Sequence, residues 1–498
     1  MKKLFILLTV LLVLGSACTK DFLTVNEKNP NSASAVPASL VLPAALNSTA
    51  SLMNNPGNYS FVYQWYGLWS ISGGFSQDLN MTGYNIINSS YQGIWSNSYV
   101  NLQNYDYLLK ASSTASLKSY KAIAIIMKAY LYQNLVDNYG NVPYTEALKT
   151  DEGILKPKYD NQQTIYEDLV IKLDTAMKII AETAPDAEAV GVRDIIFGGD
   201  MGKWARFANT LKLRILMNQA DMTGRAAYIT AAIARTASVG YMVAGEGAWS
   251  NPGYLQSQGK MNPFWERFWT ASGSQATDGL NYFVAGQDAC DFLTANNDPR
   301  KLRFFQAYTG STTAVQGNYF GATLLRTVPL TSKLGPGMLQ AFNQSAAILT
   351  DIEGLFLQAE AAQRAYIPGS AKTFYEAAVT KSIIYEGGTL GTAAAAATYL
   401  ADTTKALVCW NFSPNKLKTI ITQKWCALNG LSPMPIYTDY RRTGFPDFIH
   451  WTQDPNKKNA TPQIRFLYPQ TEINTNNDNV LLQGTINVFT SKIFWQNR

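Results

Sequence analysis

One stretch of this chain constrains the rest. From Asn29 to Tyr105 there is a single charged residue, Asp78, in 77 positions. A segment so poor in charge has to be buried or has to face something neutral. Within it, Tyr59 to Tyr99 holds eleven aromatics in 41 residues, roughly twice the 12% of the whole chain. They are Tyr59, Phe61, Tyr63, Trp65, Tyr66, Trp69, Phe75, Tyr84, Tyr91, Trp95 and Tyr99. Between them lie loop-forming residues: Ser72-Gly73-Gly74, Asn80, Thr82, Asn85 and Asn88.

Beyond this stretch the pattern turns helical. Tyr120, Ile123, Met127, Tyr130, Leu131 and Leu135 recur at spacings of three and four, and Gly140 followed by Pro143 stops the run. Ile165 to Ile180 and Trp204 to Ile215 carry two further stripes. The spacing predicts helices again over 352–366, 374–385 and 417–428, whereas 240–344 and the tail from Tyr437 read as loops with short elements. Helices joined by short connections pack as hairpins, so the fold class is mainly α. No 34-residue period survives to identify a repeat by sequence.

The N-terminus reads as an address. Lys2 and Lys3 precede an apolar run from Leu4 to Leu14 broken by Thr9, then Gly15-Ser16-Ala17-Cys18. Eleven helical residues cover roughly 16 Å, about half a bilayer's hydrocarbon core, so this is a secretory signal and not a span. Leu14 to Cys18 resembles a bacterial lipobox, whose cysteine is lipidated after cleavage. The expected organisation is a signal peptide over 1–17, a lipidated tether over 18–37 rich in Asn, Ser, Ala and Pro, and one folded body over 38–498.

Composition removes several functions. Removing Lys2 and Lys3 leaves 39 basic residues against 35 acidic ones, a balance of +4 with no dense basic stripe, which argues against nucleic acid. The chain has one histidine, His450, so two-His metal sites are excluded and a Ser or Cys nucleophile would have a single possible imidazole base. Cys290, Cys409 and Cys426 lack Cys-x-x-Cys spacing; one disulfide at most can form, with Cys409 and Cys426 the nearer pair. No phosphate loop and no Gly-x-Ser-x-Gly elbow appears, so neither metal nor cofactor is expected.

Several blocks together resemble the SusD/RagB family of Bacteroidetes outer-membrane lipoproteins. They are Ile348 to Ala362, Ile421-Thr422-Gln423-Lys424-Trp425, Asp439-Tyr440-Arg441-Arg442-Thr443-Gly444-Phe445-Pro446, Arg465-Phe466-Leu467-Tyr468-Pro469-Gln470-Thr471-Glu472, and the terminal Lys492-Ile493-Phe494-Trp495. Asn138 to Ala147, Lys203 to Arg214 and Asp298-Pro299-Arg300 agree in order. The resemblance implies tetratricopeptide-like helical hairpins supporting a loop-rich ligand face, display at the cell surface of the outer membrane, a TonB-dependent transporter as partner, and capture of glycans or sometimes peptides without catalysis. A glycoside hydrolase on the same tether is the catalytic alternative; it needs two carboxylates across a cleft.

The acidic and basic residues of these blocks read as structure. Glu353 and Glu360 are seven apart on one helix face, within reach of arginines such as Arg441, Arg442 and Arg465, and such pairs fix how hairpins dock. Aromatics among Gly, Ser and Asn are the candidates for a sugar platform, because a pyranose offers an apolar C–H face ringed by hydroxyls. In the family the ligand face is built from N-terminal loops and middle insertions, corresponding here to about 65–95 and 245–285. The candidate ligand residues are Trp65, Trp69, Phe75, Gln77, Asp78, Asn80 and Tyr84 in the first segment, and Trp249, Trp265 and Trp269 in the second.

Overall fold

The structure, a computed structural model, describes residues 36–276 and 278–497. Cys18, the signal segment and all of the expected tether except Val36 and Pro37 lie outside the described residues. The body is mainly helical, and the strands among the described residues form three two-stranded antiparallel ribbons.

The charge-poor N-terminal stretch opens with two helices the apolar spacing had not announced, α1 (Ala38–Asn54) and α2 (Pro56–Trp65), followed later by α3 (Gln92–Ala111). Asn55 ends the first and caps the second through Gly57 N–H, and Pro56 suits a first helical turn that needs no N–H. From Tyr59 to Trp65 every residue of α2 is buried, so no amphipathic period exists to be read.

The predicted stripes become α4 (Lys118–Tyr139), α5 (Gln162–Ala181) and α6 (Met201–Asn218). Asn161 and Asp200 cap the last two. Gly140 terminates α4 at φ +77, where a Cβ would lie 3.3 Å from the Arg465 guanidinium. The C-terminal half adds α7 (Ala226–Ala234), α8 (Gln287–Ala295), α9 (Asp351–Gln363), α10 (Ala371–Glu386), α11 (Ala393–Ala401), α12 (Lys416–Ala427) and α13 (Pro433–Thr443). Neighbours stack in order: α1 on α3, α3 on α4, α4 on α5, α5 on α6, α6 on α9, and α9 on α10 and α12.

Buried ion pairs bolt this stack together, as the sequence blocks predict. Arg442 donates from Nη1 to Glu360 at 2.6 Å while also bonding Asp439, and Arg214 reaches Glu353 at 3.3 Å. Burial opposes ionisation of Glu360, but the charge and hydrogen bonds of Arg442, with Arg364 and Lys424 nearby, hold its carboxyl down to about 2. Asp298 and Arg300 form a fully buried pair at 2.6 Å that ties Ser382, Tyr399 and Gln423 of α10, α11 and α12 to the 298–300 turn. Arg441 donates to the carbonyls of Asp137 and Ile464, and Arg465 to that of Tyr139. Trp495 closes the core with its indole N–H on Asp137. Cys290, Cys409 and Cys426 are buried free thiols, so the Cys409 to Cys426 disulfide is not formed.

Candidate functional site

One of the ribbons gathers the loops on one face. β1 (Trp69–Ile71) pairs antiparallel with β5 (Phe283–Ala285), which brings the 65–95 and 245–285 segments into contact; β2 (Val142–Pro143) pairs β3 (Tyr159–Asp160) and β4 (Ala248–Ser250) pairs β6 (Ala346–Leu349) elsewhere. The buried Asn318 then pins a third loop to this ribbon: its Nδ2 donates to the carbonyls of Ile71 and Arg326 at 2.9 Å, and its Oδ1 accepts from Arg326 N–H at 3.0 Å.

Immediately after β5, α8 presents Gln287, Asp288 and Asp291. Asp288 is buried against Gly67, at φ +69, where a Cβ would come within 2.4 Å of the carboxylate; only glycine allows that approach. Asp288 binds His450 twice, Oδ1 to the ring Nδ1 at 2.5 Å and Oδ2 from the backbone N–H at 3.2 Å. Burial pushes the Asp288 carboxyl up to about 6, with His450 acting against that shift. The imidazole remains 59% exposed, so with Nδ1–H held by Asp288 the other nitrogen is left for solvent or ligand.

The ring of Tyr319 packs on His450 at 4.8 Å, and its hydroxyl donates to Asp291 Oδ2 at 3.4 Å. Desolvation, Asp291 and Asp288 together raise the Tyr319 pKa, so the group stays a phenol and a donor. Gln287 orients Asp291 from the other side at 2.7 Å. Arg326 donates from Nη1 to the carbonyl of Gly317 at 2.8 Å, and among the described residues neither it nor Asp291 has an ion-pair partner. Gln287, Asp291, Tyr319 and Arg326 line an open pocket of about 550 Å³, walled also by Gln453 and by Leu324, which is 91% exposed. Carboxylate, guanidinium, amide and aromatic edge are thus presented together with hydrogen-bonding capacity to spare, the pattern of a site for a polar ligand.

The aromatics singled out by sequence divide sharply. Trp65, Trp69 and Tyr84 are interior, at 1%, 0% and 0% exposure, which corrects their assignment as open platforms. Trp69 stacks on Tyr63 at 4.4 Å, contacts Phe264, Phe268 and Phe283, and gives its indole N–H to Asn429 at 2.8 Å. Tyr84 accepts Thr452 N–H at 3.0 Å, and Trp65 donates to the carbonyl of Met81. Neighbouring Gly and Ser marked where the chain turns, not where the ring points. Asp78 and Asn80 are exposed but engaged locally: Asp78 caps the turn at Leu79–Thr82, and Asn80 accepts from Asn85. Gln77 ties its loop to the carbonyl of Ala322 at the edge of the pocket, and Phe75 meets Tyr282 edge-on at 5.3 Å.

Trp265 and Trp269, unlike Trp69, reach the surface. Both are half-buried, and their rings stack 5.4 Å apart at 14°. Trp249 stacks on Tyr385 of α10 at 5.0 Å, away from the β1–β5 ribbon. Tyr319, His450, Asp291 and Arg326 were not among the candidates. Nothing in the local sequence of His450 signals Asp288, which lies 162 positions away.

A second cavity, of about 350 Å³, opens between α3, α4 and α5 over Tyr132 and Tyr144. Its rim carries both signs of charge, but Lys110 and Lys128 pair with Asp106, Lys149 with Glu152, and Lys172 with Asp168. No helix of the described residues is long and apolar enough to cross a membrane.

Solved structures share this architecture. A chitin-binding protein superposes with a TM-score of 0.75 at 22% identity, over 92% of this chain and 100% of its own. A SusD homolog from Bacteroides fragilis gives 0.74 at 19% identity over 93% and 100%, and a SusD-like protein from Bacteroides thetaiotaomicron 0.72 at 22% over 90% and 95%. At these identities the likeness establishes the fold. No curated protein sequence matches significantly. A family model described as "starch-binding associating with outer membrane" matches residues 30–469, and with the arginine-locked helical stack already seen, it places the chain in the SusD-like family.

Proposed function

We propose that the protein is a cell-surface binding protein that captures an oligosaccharide on the loop face around Tyr319 and hands it to a TonB-dependent outer-membrane transporter. Lipidation at Cys18 would hold it to the membrane, with the segment before α1 as the tether. The observation that carries this reading is the pocket of about 550 Å³ lined by Tyr319, Asp291 and Arg326, which keep hydrogen-bonding capacity facing outward, with the exposed His450 ring packed against Tyr319 beside it. A sugar ring can lie on an aromatic face while its hydroxyls donate to Asp291 and His450 and accept from Arg326. The Trp265–Trp269 pair provides a flat apolar surface on the adjoining insertion.

The chemistry of the pocket favours binding over hydrolysis. Glycoside cleavage requires two carboxyl groups flanking the scissile bond. Among the described lining residues Asp291 is the carboxylate, while both oxygens of the neighbouring Asp288 are bound to His450. The family description points to starch and one structural relative is a chitin-binding protein, which supports a carbohydrate ligand for this chain as well. Titrating the purified body with starch- and chitin-derived oligosaccharides and with mixed peptides, while checking the sugars for cleavage, tests the reading. Uncleaved binding of a glycan supports it; binding of peptides alone, or cleavage, refutes it.

A further inference from the structure

The charge-poor N-terminal stretch leaves a feature that the loop face does not use. Between α1, α3 and the start of α2 runs a groove of about 300 Å³ whose lining contains six asparagines and two serines and not one charged residue. Several of these carboxamides are held in place from behind. Asn101 donates to Thr49 and to the carbonyl of Ala45, Asn104 donates to Asn101, and Asn58 donates to the carbonyl of Leu52. With their N–H groups engaged, the side-chain oxygens of Asn58 and Asn104 remain without a donor. Asn47 Oδ1 has no hydrogen-bond partner among the described residues, a state that costs about 1–3 kcal/mol. The Asn97 side chain has no hydrogen bond among the described residues; with Asn58 it converges over Gly93, where a Cβ would sit 3.3 Å from Asn97 Nδ2 and 3.5 Å from Asn58 Oδ1.

We propose that this groove is a second binding site, for a neutral polyhydroxylated ligand such as an uncharged oligosaccharide segment. Fixed carboxamide oxygens ask for donors, and a sugar supplies several hydroxyl donors per residue without bringing charge. A charged ligand would lose its hydration here with no counter-charge to compensate. The volume lies at the lower end of small-ligand sites and suits a short segment of a longer glycan. The groove shows no aromatic side chain among its lining residues, so its affinity is weaker than that of the loop face. A glycan long enough to reach both sites gains by effective concentration.

The test titrates maltohexaose and chitohexaose into the wild-type body and into Tyr319→Ala, Asn97→Ala and Ser48→Arg proteins and the Tyr319→Ala/Ser48→Arg double variant, with melting curves to confirm folding. Asn97 and Ser48 are exposed and hold no other element in place, so their variants keep the fold. The proposal expects residual weak binding in Tyr319→Ala that falls at least tenfold when Ser48→Arg is added, and a smaller loss with Asn97→Ala. Residual binding indifferent to Ser48→Arg, or its complete absence in Tyr319→Ala, overturns the groove and leaves the loop face standing. Binding lost with Ser48→Arg but unchanged in Tyr319→Ala keeps the groove and refutes the loop face, and no binding of either sugar by wild type refutes both.

Discussion

In the helical stack charges meet and cancel, and on the loop face they do not. Glu360, Asp298 and Glu353 each have an arginine partner inside the protein, whereas Arg326 and Asp291 face an open pocket with no ion-pair partner among the described residues. The first arrangement fixes how helices dock, because a buried charge tolerates no loss of its partner. The second keeps interactions available for a ligand. Aromatic rings divide in the same way: Trp69 fills the core while Trp265 and Trp269 stack half-exposed.

The comparison can be broken most forcefully inside the stack. Glu360→Ala removes two of the hydrogen bonds of the buried Arg442, leaving it those to Asp439, and costs about 3–5 kcal/mol in denaturant unfolding at pH 7. Because the Glu360 carboxyl is held at about 2, below its ordinary 4.5, the stabilisation is complete above that ordinary value and is lost as pH falls toward 2. The difference between variant and wild type therefore shrinks on acidification. Trp69→Ala costs roughly 3–5 kcal/mol for a large buried ring, in contrast to its sequence-based role as a platform.

Glu386 is the exception within the stack, and it sharpens the rule. Both of its oxygens are buried without a hydrogen-bond partner among the described residues, and desolvation pushes the carboxyl up to about 8, against the opposing charges of Arg300 and Arg303. The folded protein thus keeps a proton that the unfolded chain releases near 4.5. Its contribution is full below that value and is lost as pH rises through 8. Glu386→Gln should raise stability at pH 9 by roughly 1–3 kcal/mol, read from thermal melts, with little change at pH 5.

On the loop face the expected changes are in binding. Trp265→Ala should weaken glycan affinity about threefold to tenfold, equivalent to roughly 0.7–1.4 kcal/mol, with a melting shift smaller than that of Trp69→Ala. The smallest effect belongs to His450→Gln. It retains a hydrogen-bonding side chain and should change affinity about twofold at pH 7.5 in the same titration.

The stack was legible because its signals are local. Stripes at spacings of three and four gave α4, α5 and α6, Gly140 and Pro143 marked a stop, and the arginine-bearing blocks were read as docking pairs. α2 escaped because it is buried all round from Tyr59 onward and carries no polar face to set a period, and α1 because its outer face consists of uncharged residues such as Asn47, Ser48 and Ser51. The pocket escaped for another reason. Tyr319, His450 and Asp288 meet through the β1–β5 ribbon and the Asn318 clamp, contacts between residues far apart in sequence. Local composition marks the 65–95 and 245–285 segments but not which of their side chains look outward, and Trp65 and Tyr84 point into the core.

The most direct test is a calorimetric titration of maltohexaose and chitohexaose into the wild-type body and a Tyr319→Ala variant of unchanged melting temperature, with the sugars analysed for cleavage afterwards. Capture on the loop face requires binding of at least one intact sugar by wild type and at least a tenfold loss in the variant. Equal affinity in the two proteins, or cleaved sugar, would contradict it.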